Sequence, residues 1–481
     1  MASFYSPDLA TFRQKAKEGN LIPVFRELPG DLDTPVSLFL KLGQRPPTFL
    51  LESVEGGEKV GRYSFLGLSP YLVLEASGKE ATLSRGARRL KVPLEGRDAL
   101  HLVQEHLAQH KAVKMPGVPP FFGGAVGYLS YDMARFFERL PETSLDELAL
   151  PDALFLFTDT MVIFDHVQHK IKVLANAHVD GKVSAAYEEA VARIEEVVRA
   201  LERPLPETPR EQTALREMPN LDYDLEKPLS HETHREPAPA AQEMTSNFTP
   251  EEFAAMVRAA KEYIVAGDIF QIVLAQRLRR RTTAEPFAIY RALRMINPSP
   301  YLFYLDLGSF QLIGSSPEML VKLQDGLAEA RPIAGTRPRG ASEAEDEALI
   351  AELLADPKER AEHVMLVDLA RNDLGRVCTY GTVRAPTLMT IEKYSHVSHI
   401  VSAVEGKLQP GQDAFSLLRA AFPAGTVSGA PKIRAMELIH ELERWKRGPY
   451  AGAVGYFSFT GNMDTCITIR TIVMQGDRVY L

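Results

Sequence analysis

The sequence has little cysteine, no excess of positive charge and no long apolar run, and each of these features excludes a class of protein. Only Cys378 and Cys466 occur in 481 residues, too few for a disulfide framework and wrongly spaced for a zinc site. The formal net charge of -8 argues against nucleic acid as the main partner, because phosphate binding needs a clustered basic surface. We therefore expect a reduced, cytoplasmic setting.

The longest apolar stretch, near Leu154 to Phe164, is interrupted by Thr158, Asp159 and Thr160. It is too short and too polar to cross a bilayer, so we expect neither a membrane span nor a signal peptide. The rest of the composition, 45% hydrophobic and 25% charged, is ordinary for a globular enzyme.

Composition changes along the chain predict two lobes. Residues 1–202 mix short strand-like runs with turns and end in a helix predicted over 183–202. Residues 203–247 concentrate Pro, Glu and Arg, which indicates a linker or a long surface loop. The second lobe, 248–481, opens on the capping box Thr249-Pro-Glu-Glu252. Strands of mixed length, not regularly alternated with helices, favour an α+β fold.

One segment has an internal echo. Gly124-Ala-Val-Gly-Tyr-Leu-Ser-Tyr131 recurs as Gly452-Ala-Val-Gly-Tyr-Phe-Ser-Phe459. We interpret the two as related strands at sheet edges that pack together; chance similarity of a short β segment is the alternative.

An acidic helix is the first candidate site. Glu359 and Glu362 are three residues apart and share a helix face. Glu359 also stands where a capping-box residue would reach back to Asp356. Glu362 leads into the apolar run 364–370, and a buried carboxylate needs a partner. That partner is either a hard cation such as Mg²⁺ or an arginine.

The second candidate is the loop Gly425-Thr-Val-Ser-Gly-Ala-Pro-Lys432, which runs into a predicted helix. A helix N-terminus suits a carboxylate or a phosphate, whereas simple capping by Ser428 is the alternative. Glu318, His399 and Arg470 are isolated candidates, and each such residue alone is more often structural. The residues by themselves thus indicate an enzyme with a carboxylate-rich site for an anionic small molecule.

Three long segments resemble the chorismate-utilising enzymes. They are Arg331-Pro-Ile-Ala-Gly-Thr-Arg-Pro-Arg339, His363-Val-Met-Leu-Val-Asp-Leu-Ala-Arg-Asn-Asp373 and the Gly425 loop. The resemblance covers most of the second lobe, from Ala266 to Arg470, and extends into the first. It implies two lobes with packed, antiparallel-rich sheets flanked by helices, chorismate as substrate and Mg²⁺ as cofactor.

The same resemblance implies roles for single residues. Glu362 corresponds to a Mg²⁺ ligand, Glu359 to a residue supporting the metal shell, and Glu318 to the general acid that protonates the departing C4 hydroxyl. The remaining implied site residues are Thr426, Tyr450 and Arg470, which hold the substrate, Gly335 and Thr336, whose backbone surrounds its carboxylate, and His399, linked to pyruvate elimination.

Two positions bear on the nucleophile. Gln271 stands where the isochorismate and salicylate synthases carry a lysine base, and a neutral amide cannot deprotonate water. Ala334 stands where many aminodeoxychorismate synthases carry a nucleophilic lysine. Ammonia needs neither lysine, so the resemblance narrows to the anthranilate synthase large subunits, which aminate chorismate and release pyruvate.

The feedback site for tryptophan in these enzymes resembles Leu50-Leu-Glu-Ser53 and Asn297-Pro-Ser-Pro-Tyr301. Glu52 would pair with the α-amino group of tryptophan; an edge strand ending in a turn at Glu52 and Ser53 is the alternative. The implied pocket also includes Pro300, Tyr301 and Tyr456.

No Gly-x-Cys-x-Gly segment is present, so ammonia is expected from a separate glutamine amidotransferase subunit in a hetero-oligomer. Family members continue beyond Leu481 with a Glu-x-x-Glu helix that completes the Mg²⁺ shell. We therefore expect a truncated chain that binds Mg²⁺ and chorismate poorly. The rival interpretations are an aminodeoxychorismate synthase subunit without the covalent lysine, and a tryptophan-binding regulatory chain without catalysis.

Overall fold

The computed structural model describes residues 4–43, 45–53, 61–141, 144–206, 244–393 and 397–481. Within these ranges the chain forms eleven α-helices and twenty-five strands, and every strand pairing is antiparallel. Numbered along the chain, the helices are α1 (Leu9–Lys15), α2 (Pro35–Leu42), α3 (Ala99–Leu107), α4 (Ala134–Phe137), α5 (Val183–Leu201), α6 (Pro250–Ala266), α7 (Pro286–Ile296), α8 (Glu343–Ala355), α9 (Pro357–Gly375), α10 (Ala414–Ala421) and α11 (Lys432–Leu442).

The strands form two large sheets and one short pair. In spatial order, the first sheet contains β1 (Leu21–Pro29), β10 (Lys170–His178), β9 (Thr160–Asp165), β3 (Tyr63–Gly67), β2 (Thr48–Glu52), β14 (Tyr301–Asp306), β15 (Gln311–Ser316), β24 (Thr471–Gln475), β25 (Arg478–Tyr480), β13 (Leu278–Arg281) and β11 (Thr245–Ser246). The second contains β18 (Ile333–Pro338), β20 (Val397–Lys407), β17 (Leu327–Ala330), β16 (Met319–Gln324), β23 (Met463–Ile467), β22 (Ala453–Ser458), β7 (Gly124–Leu129), β8 (Ala153–Thr158), β4 (Leu72–Ser77), β5 (Glu80–Arg85) and β6 (Arg88–Pro93), with β19 (Arg384–Lys393) beside β20. The short pair is β12 (Gln271–Ile272) with β21 (Gly429–Ala430).

The two large sheets pack face to face, with helices on both outer faces. Tyr128 and Leu154 of the second sheet and Phe49 and Phe303 of the first belong to one buried cluster between them. Helices α1, α2, α5 and α7 cover the first sheet, and α3, α9, α10 and α11 cover the second. The predicted α+β fold of packed antiparallel sheets is confirmed. No helix of the described ranges is long and apolar enough to cross a membrane.

Both large sheets take strands from both halves of the chain. β2 pairs with β14 in the first sheet, and β7 pairs with β22 in the second. The two predicted lobes, 1–202 and 248–481, therefore share both sheets, and their division into separate folding units stays a prediction. Most of the predicted linker 203–247 lies outside the described residues, since 207–243 are not described.

Helix boundaries follow the local signals. Helix α5, Val183–Leu201, confirms the predicted helix. Thr249 is the N-cap of α6 and forms the predicted capping box with Glu252, and Gly267 ends the helix with φ 84°. Such a left-handed backbone is open to glycine at little cost.

The echoed strands β7 and β22 are direct neighbours in the middle of the second sheet rather than at its edges. Gly127 lies opposite Gly455. A Cβ atom on Gly127 would lie 1.9 Å from the Leu154 carbonyl oxygen, and one on Gly455 would lie 2.1 Å from that of Asp464. Both glycines are therefore required by close backbone approach.

We predict that Gly127→Ala destabilises the fold by about 1–3 kcal/mol, because the added methyl group overpacks a rigid sheet. Gly375→Ala is the matched control, since nothing lies within 4 Å of its added Cβ. It should stabilise the end of α9 by at most about 1 kcal/mol. Urea denaturation measures both, and equal effects of the two substitutions would contradict the close-approach explanation.

Candidate active site

Helix α9 and the short strand β12 bring Glu362 and Gln271 together. The Gln271 Nε2 donates to Glu362 Oε1 at 3.2 Å. Gln271 also pairs with Ala430 of β21, which attaches the Gly425 loop to the same point. Among the described residues the partner of Glu362 is thus an amide, and no arginine there forms an ion pair with it, so the arginine alternative is wrong for that part of the chain.

Asp356, and not Glu359, caps the start of α9 with its side chain. The Asp356 side chain accepts hydrogen bonds from the Lys358 and Glu359 amides. The Glu359 carboxylate lies 3.6 Å from the Arg337 guanidinium, which also bonds Glu352 and Asp356. The capping-box alternative for Glu359 is therefore wrong. Sequence reasoning missed Arg337, although it belongs to a quoted motif.

Glu318 lies just after β15, at the entrance to β16. Its carboxylate Oε1 accepts a hydrogen bond from Thr426 Oγ1 at 3.0 Å. Burial raises the pKa of the Glu318 carboxyl to about 8, although the Thr426 hydrogen bond and the Arg470 charge oppose the shift. The carboxyl is therefore mostly protonated at neutral pH, the form that a general acid requires.

Strand pairing places His399 opposite Thr336, beside Gly335. The His399 Nδ1 donates to the Gly335 carbonyl oxygen at 3.0 Å, which places the ring's lone pair on Nε2. Burial lowers the pKa of His399, so the ring is neutral at pH 7. Gly335 has φ 69°, and a Cβ there would lie 3.1 Å from Leu353, so glycine is needed at this position.

The Gly425 loop, residues 425–432, which contains Thr426, is held in place by an ion pair rather than by helix capping. The Ser428 Oγ donates to the Ala424 carbonyl at 2.7 Å and does not cap α11, so the alternative of simple capping by Ser428 is wrong. The Lys432 Nζ lies 2.7 Å from Asp373 Oδ2 of α9. This buried pair joins the loop to the helix that carries Glu362. Asp373 is the last residue of the motif that begins at His363, and Lys432 is the last residue of the Gly425 loop. Their opposite charges could have indicated this ion pair from the sequence.

Tyr450 is 36% exposed and backed by Arg447, which sequence reasoning also missed. The buried Arg447 guanidinium bonds the Glu443 carboxylate at 2.6 and 2.8 Å. It also donates to the carbonyl oxygens of Val427 and Val273. Its centre is 5.7 Å from the Tyr450 ring centroid. One side chain therefore connects the Thr426 loop, the segment after β12 and Tyr450.

The predicted feedback residues Glu52 and Ser53 lie at the end of β2. This strand is internal, between β3 and β14, so the edge-strand alternative is wrong. The Glu52 carboxylate is buried and held by Arg294 at 3.0 and 3.2 Å and by the Tyr290 hydroxyl. Its charge is therefore already paired within the protein.

Tyr301 spans from the first sheet to the second. Its hydroxyl donates to Asp464 Oδ1 at 3.0 Å, and Asp464 lies opposite Tyr456 across the β22–β23 pair. Tyr456 stacks on Phe121 with centroids 4.1 Å apart. Burial raises the pKa of the Asp464 carboxyl. The sequence analysis did not identify Asp464 as a site residue. The start of β14, with Pro300 just before Tyr301, thus meets β23 opposite Tyr456, and Glu52 at the end of β2 lies opposite Leu302 of β14.

The chorismate binding enzyme family matches residues 46–481 of this chain. The anthranilate synthase component 1 of Acetivibrio thermocellus is 48% identical over 478 residues, which cover 99% of this chain and 92% of that protein. The protein of the same name from Synechocystis is 47% identical over 98% of this chain and 91% of its own length.

Solved structures agree with these sequence matches. Anthranilate synthase component I from Streptococcus pneumoniae is 36% identical, with a TM-score of 0.72 over 89% of each chain. The menaquinone-specific isochorismate synthase from Escherichia coli, at 17% identity and a TM-score of 0.65, shares the fold. The predicted resemblance is confirmed: this chain belongs to the chorismate binding enzyme family.

Proposed function

We propose that this protein converts chorismate and ammonia into anthranilate and pyruvate, the first step of tryptophan synthesis. The observation that carries the proposal is the environment of Gln271. Relatives of this chain at 44–48% identity are named anthranilate synthase component 1 or probable anthranilate synthase component 1. These names support the same reaction.

Gln271 is suited to hold ammonia. Its Nε2 donates to Glu362, so the orientation of the amide is set by a carboxylate that can only accept. Its Oε1 is buried and has no hydrogen-bond donor in the described chain. A buried acceptor without a donor is costly, and an N–H of ammonia would satisfy it. The nitrogen lone pair is then free to attack C2.

The oxygen donors at the start of α9 fit Mg²⁺, which binds through one or two carboxylates and keeps several water ligands. Among the described residues no three His, Cys, Asp or Glu side chains form a metal-holding group. We assign Glu362, whose carboxylate meets Gln271, as the direct protein ligand. Glu359, steadied by Arg337, supports it. Mg²⁺ bound there supplies charge neutralisation for the ring carboxylate.

The protein residues supply the remaining steps. Ammonia adds at C2 while the C4 hydroxyl leaves as water with the proton of Glu318. The new C2 ammonium group then loses one proton, and Glu318 takes up one proton, so the amination consumes no net proton. Arg470 and Tyr450 hold the side-chain carboxylate, and Thr426 orients the acid. Neutral His399 then takes the C2 proton and returns it to the departing enolpyruvyl group, which leaves as pyruvate.

We predict that Gln271→Leu raises the KM for ammonium about 2–10-fold, the value of one lost hydrogen bond. The KM for chorismate serves as the internal control and should stay within about twofold. Initial rates against ammonium at saturating chorismate measure the effect. An unchanged ammonium KM would remove Gln271 from nucleophile binding.

A separate glutamine amidotransferase subunit supplies the ammonia in this proposal, within a hetero-oligomer. Cys378 and Cys466 are buried and unpaired, and burial raises the pKa of both thiols. Neither cysteine is therefore an activated nucleophile for glutamine hydrolysis. Unpaired thiols also support a reducing, cytoplasmic location.

Feedback inhibition by tryptophan belongs to the same proposal. We assign Tyr301 and Tyr456 as the aromatic walls of this site, with Ser53 at the end of the strand that pairs with β14. Because Arg294 already neutralises Glu52, we assign the effector's α-amino group to the Asp464 carboxylate, which accepts from Tyr301. In this assignment Glu52 stabilises the wall of the tryptophan site through its ion pair with Arg294 and does not bind the amino group itself.

A fluorescence assay with chorismate, Mg²⁺ and ammonium, with and without tryptophan, tests the proposal. We expect a fluorescent product that depends on ammonium and is suppressed by tryptophan. A 4-amino product without pyruvate would instead indicate an aminodeoxychorismate synthase. Tryptophan binding without turnover of chorismate would indicate a regulatory chain.

A further inference from the structure

Two buried hydroxyls hold the backbone that carries Glu318. Ser316, the last residue of β15, is 0% exposed, and Ser299 is 1% exposed. The Ser316 Oγ donates to the Ile467 carbonyl oxygen at 2.6 Å. The Ile467 amide donates back to the Glu318 carbonyl oxygen at 3.0 Å. The segment from Ser316 to Glu318 is therefore closed into a ring with one residue of β23.

Ser299 acts on the same segment from the other side. Its Oγ donates to the Ser316 carbonyl oxygen. Ser299 lies between Pro298 and Pro300, which have no amide hydrogen to donate. A buried hydroxyl destabilises a core unless it is hydrogen-bonded, and both serine hydroxyls reach carbonyl acceptors. They therefore fix backbone atoms rather than merely fill space.

The adjacent residue extends this network to Arg470. The Ser315 amide donates to the Arg470 carbonyl oxygen at 3.1 Å, and the Ser315 Oγ donates to the Asn297 carbonyl at 2.5 Å. Arg470 has φ 49°, a strained value for a residue with a side chain. Glu318 and Arg470 thus depend on the same end of β15.

From this geometry we infer that Ser299 and Ser316 are positioning residues for the general acid. This role rests on the proposed function, in which Glu318 protonates the leaving hydroxyl. Proton transfer requires a heavy-atom separation of about 2.6–3.2 Å, and a displacement of about 1 Å reduces rate far more than affinity. The two serines hold the Glu318 carboxyl against Thr426 and in register with Arg470.

Steady-state kinetics of Ser316→Ala and Ser299→Ala test the inference. Each should lower kcat about 10–100-fold, with the KM for chorismate within about threefold of the wild-type value. In a Glu318→Gln background the same substitutions should lower kcat no further, because residues that act through one group are not additive. If Ser316→Ala does not fold, Ser299→Ala carries the test.

Ser458→Ala is the matched control. Ser458 is 3% exposed, and its Oγ also donates to a carbonyl, that of Pro120 at 3.1 Å, away from Glu318. It should lose similar stability and keep the wild-type kcat.

Three outcomes overturn the inference. An unchanged kcat in both serine variants, alongside a defective Glu318→Gln, would refute positioning and leave the proposed function standing. Full additivity in the double variants would refute action through Glu318. A wild-type kcat in Glu318→Gln would remove the acid itself, and the positioning role with it.

Discussion

Glu318→Gln should lower kcat by about 10²–10⁴-fold, the usual contribution of a general acid, while the KM for chorismate changes little. The glutamine keeps the size and the Thr426 contact but has no acidic proton. In the wild type, the pKa of about 8 means that the acid form is present below that pH and is lost above it. The kcat/KM profile should therefore fall as pH rises through about 8, and this basic limb should be absent in the variant.

Thr426→Val provides the directional control for this profile. The Thr426 hydrogen bond lowers the pKa of Glu318 against the effect of burial. Its removal should shift the basic limb to higher pH, whatever happens to the absolute rate. A limb that stays in place, or moves down, would show that another group titrates.

Arg447→Met should destabilise the protein by about 3–5 kcal/mol, because it leaves Glu443 as an uncompensated buried charge. It should also lower activity, since Arg447 bonds the Val427 carbonyl of the Thr426 loop at 2.7 Å and backs Tyr450. Urea unfolding followed by circular dichroism measures the first effect, and the chorismate assay the second.

Two further variants make this result specific. The double variant Arg447→Met, Glu443→Leu should recover part of the lost stability, because removing both charges leaves neither unpaired. Arg384→Met removes the guanidinium of an exposed pair with Glu405 and should cost less than about 1 kcal/mol. Equal losses for Arg384→Met and Arg447→Met would contradict the anchoring role.

Local signals predicted the secondary structure near the site well. Thr249, Glu252 and Gly267 set both ends of α6 as the sequence indicates, because capping depends on residues within one turn. The same reasoning failed for Glu359 and Ser428. Their side chains bond Arg337 and Ala424 instead, and the local pattern cannot distinguish a capping role from a tertiary contact.

The sequence pattern could not predict which side chains far apart in the chain contact one another. The motifs identified Glu318 and Gln271, but the contacts of these residues with Thr426 and Glu362 span 108 and 91 positions. Arg294, which neutralises Glu52 from 242 positions away, gave no local signal at all. Its role follows only from the β2–β14 pairing that brings α7 over the end of β2.

Product stoichiometry tests the central claim most directly. Chorismate, Mg²⁺ and ammonium are incubated with the protein, and chorismate consumed, anthranilate formed and pyruvate released are each quantified. The proposed reaction predicts one anthranilate and one pyruvate for each chorismate lost. An aminated product that retains its enolpyruvyl group, with no pyruvate released, would contradict it.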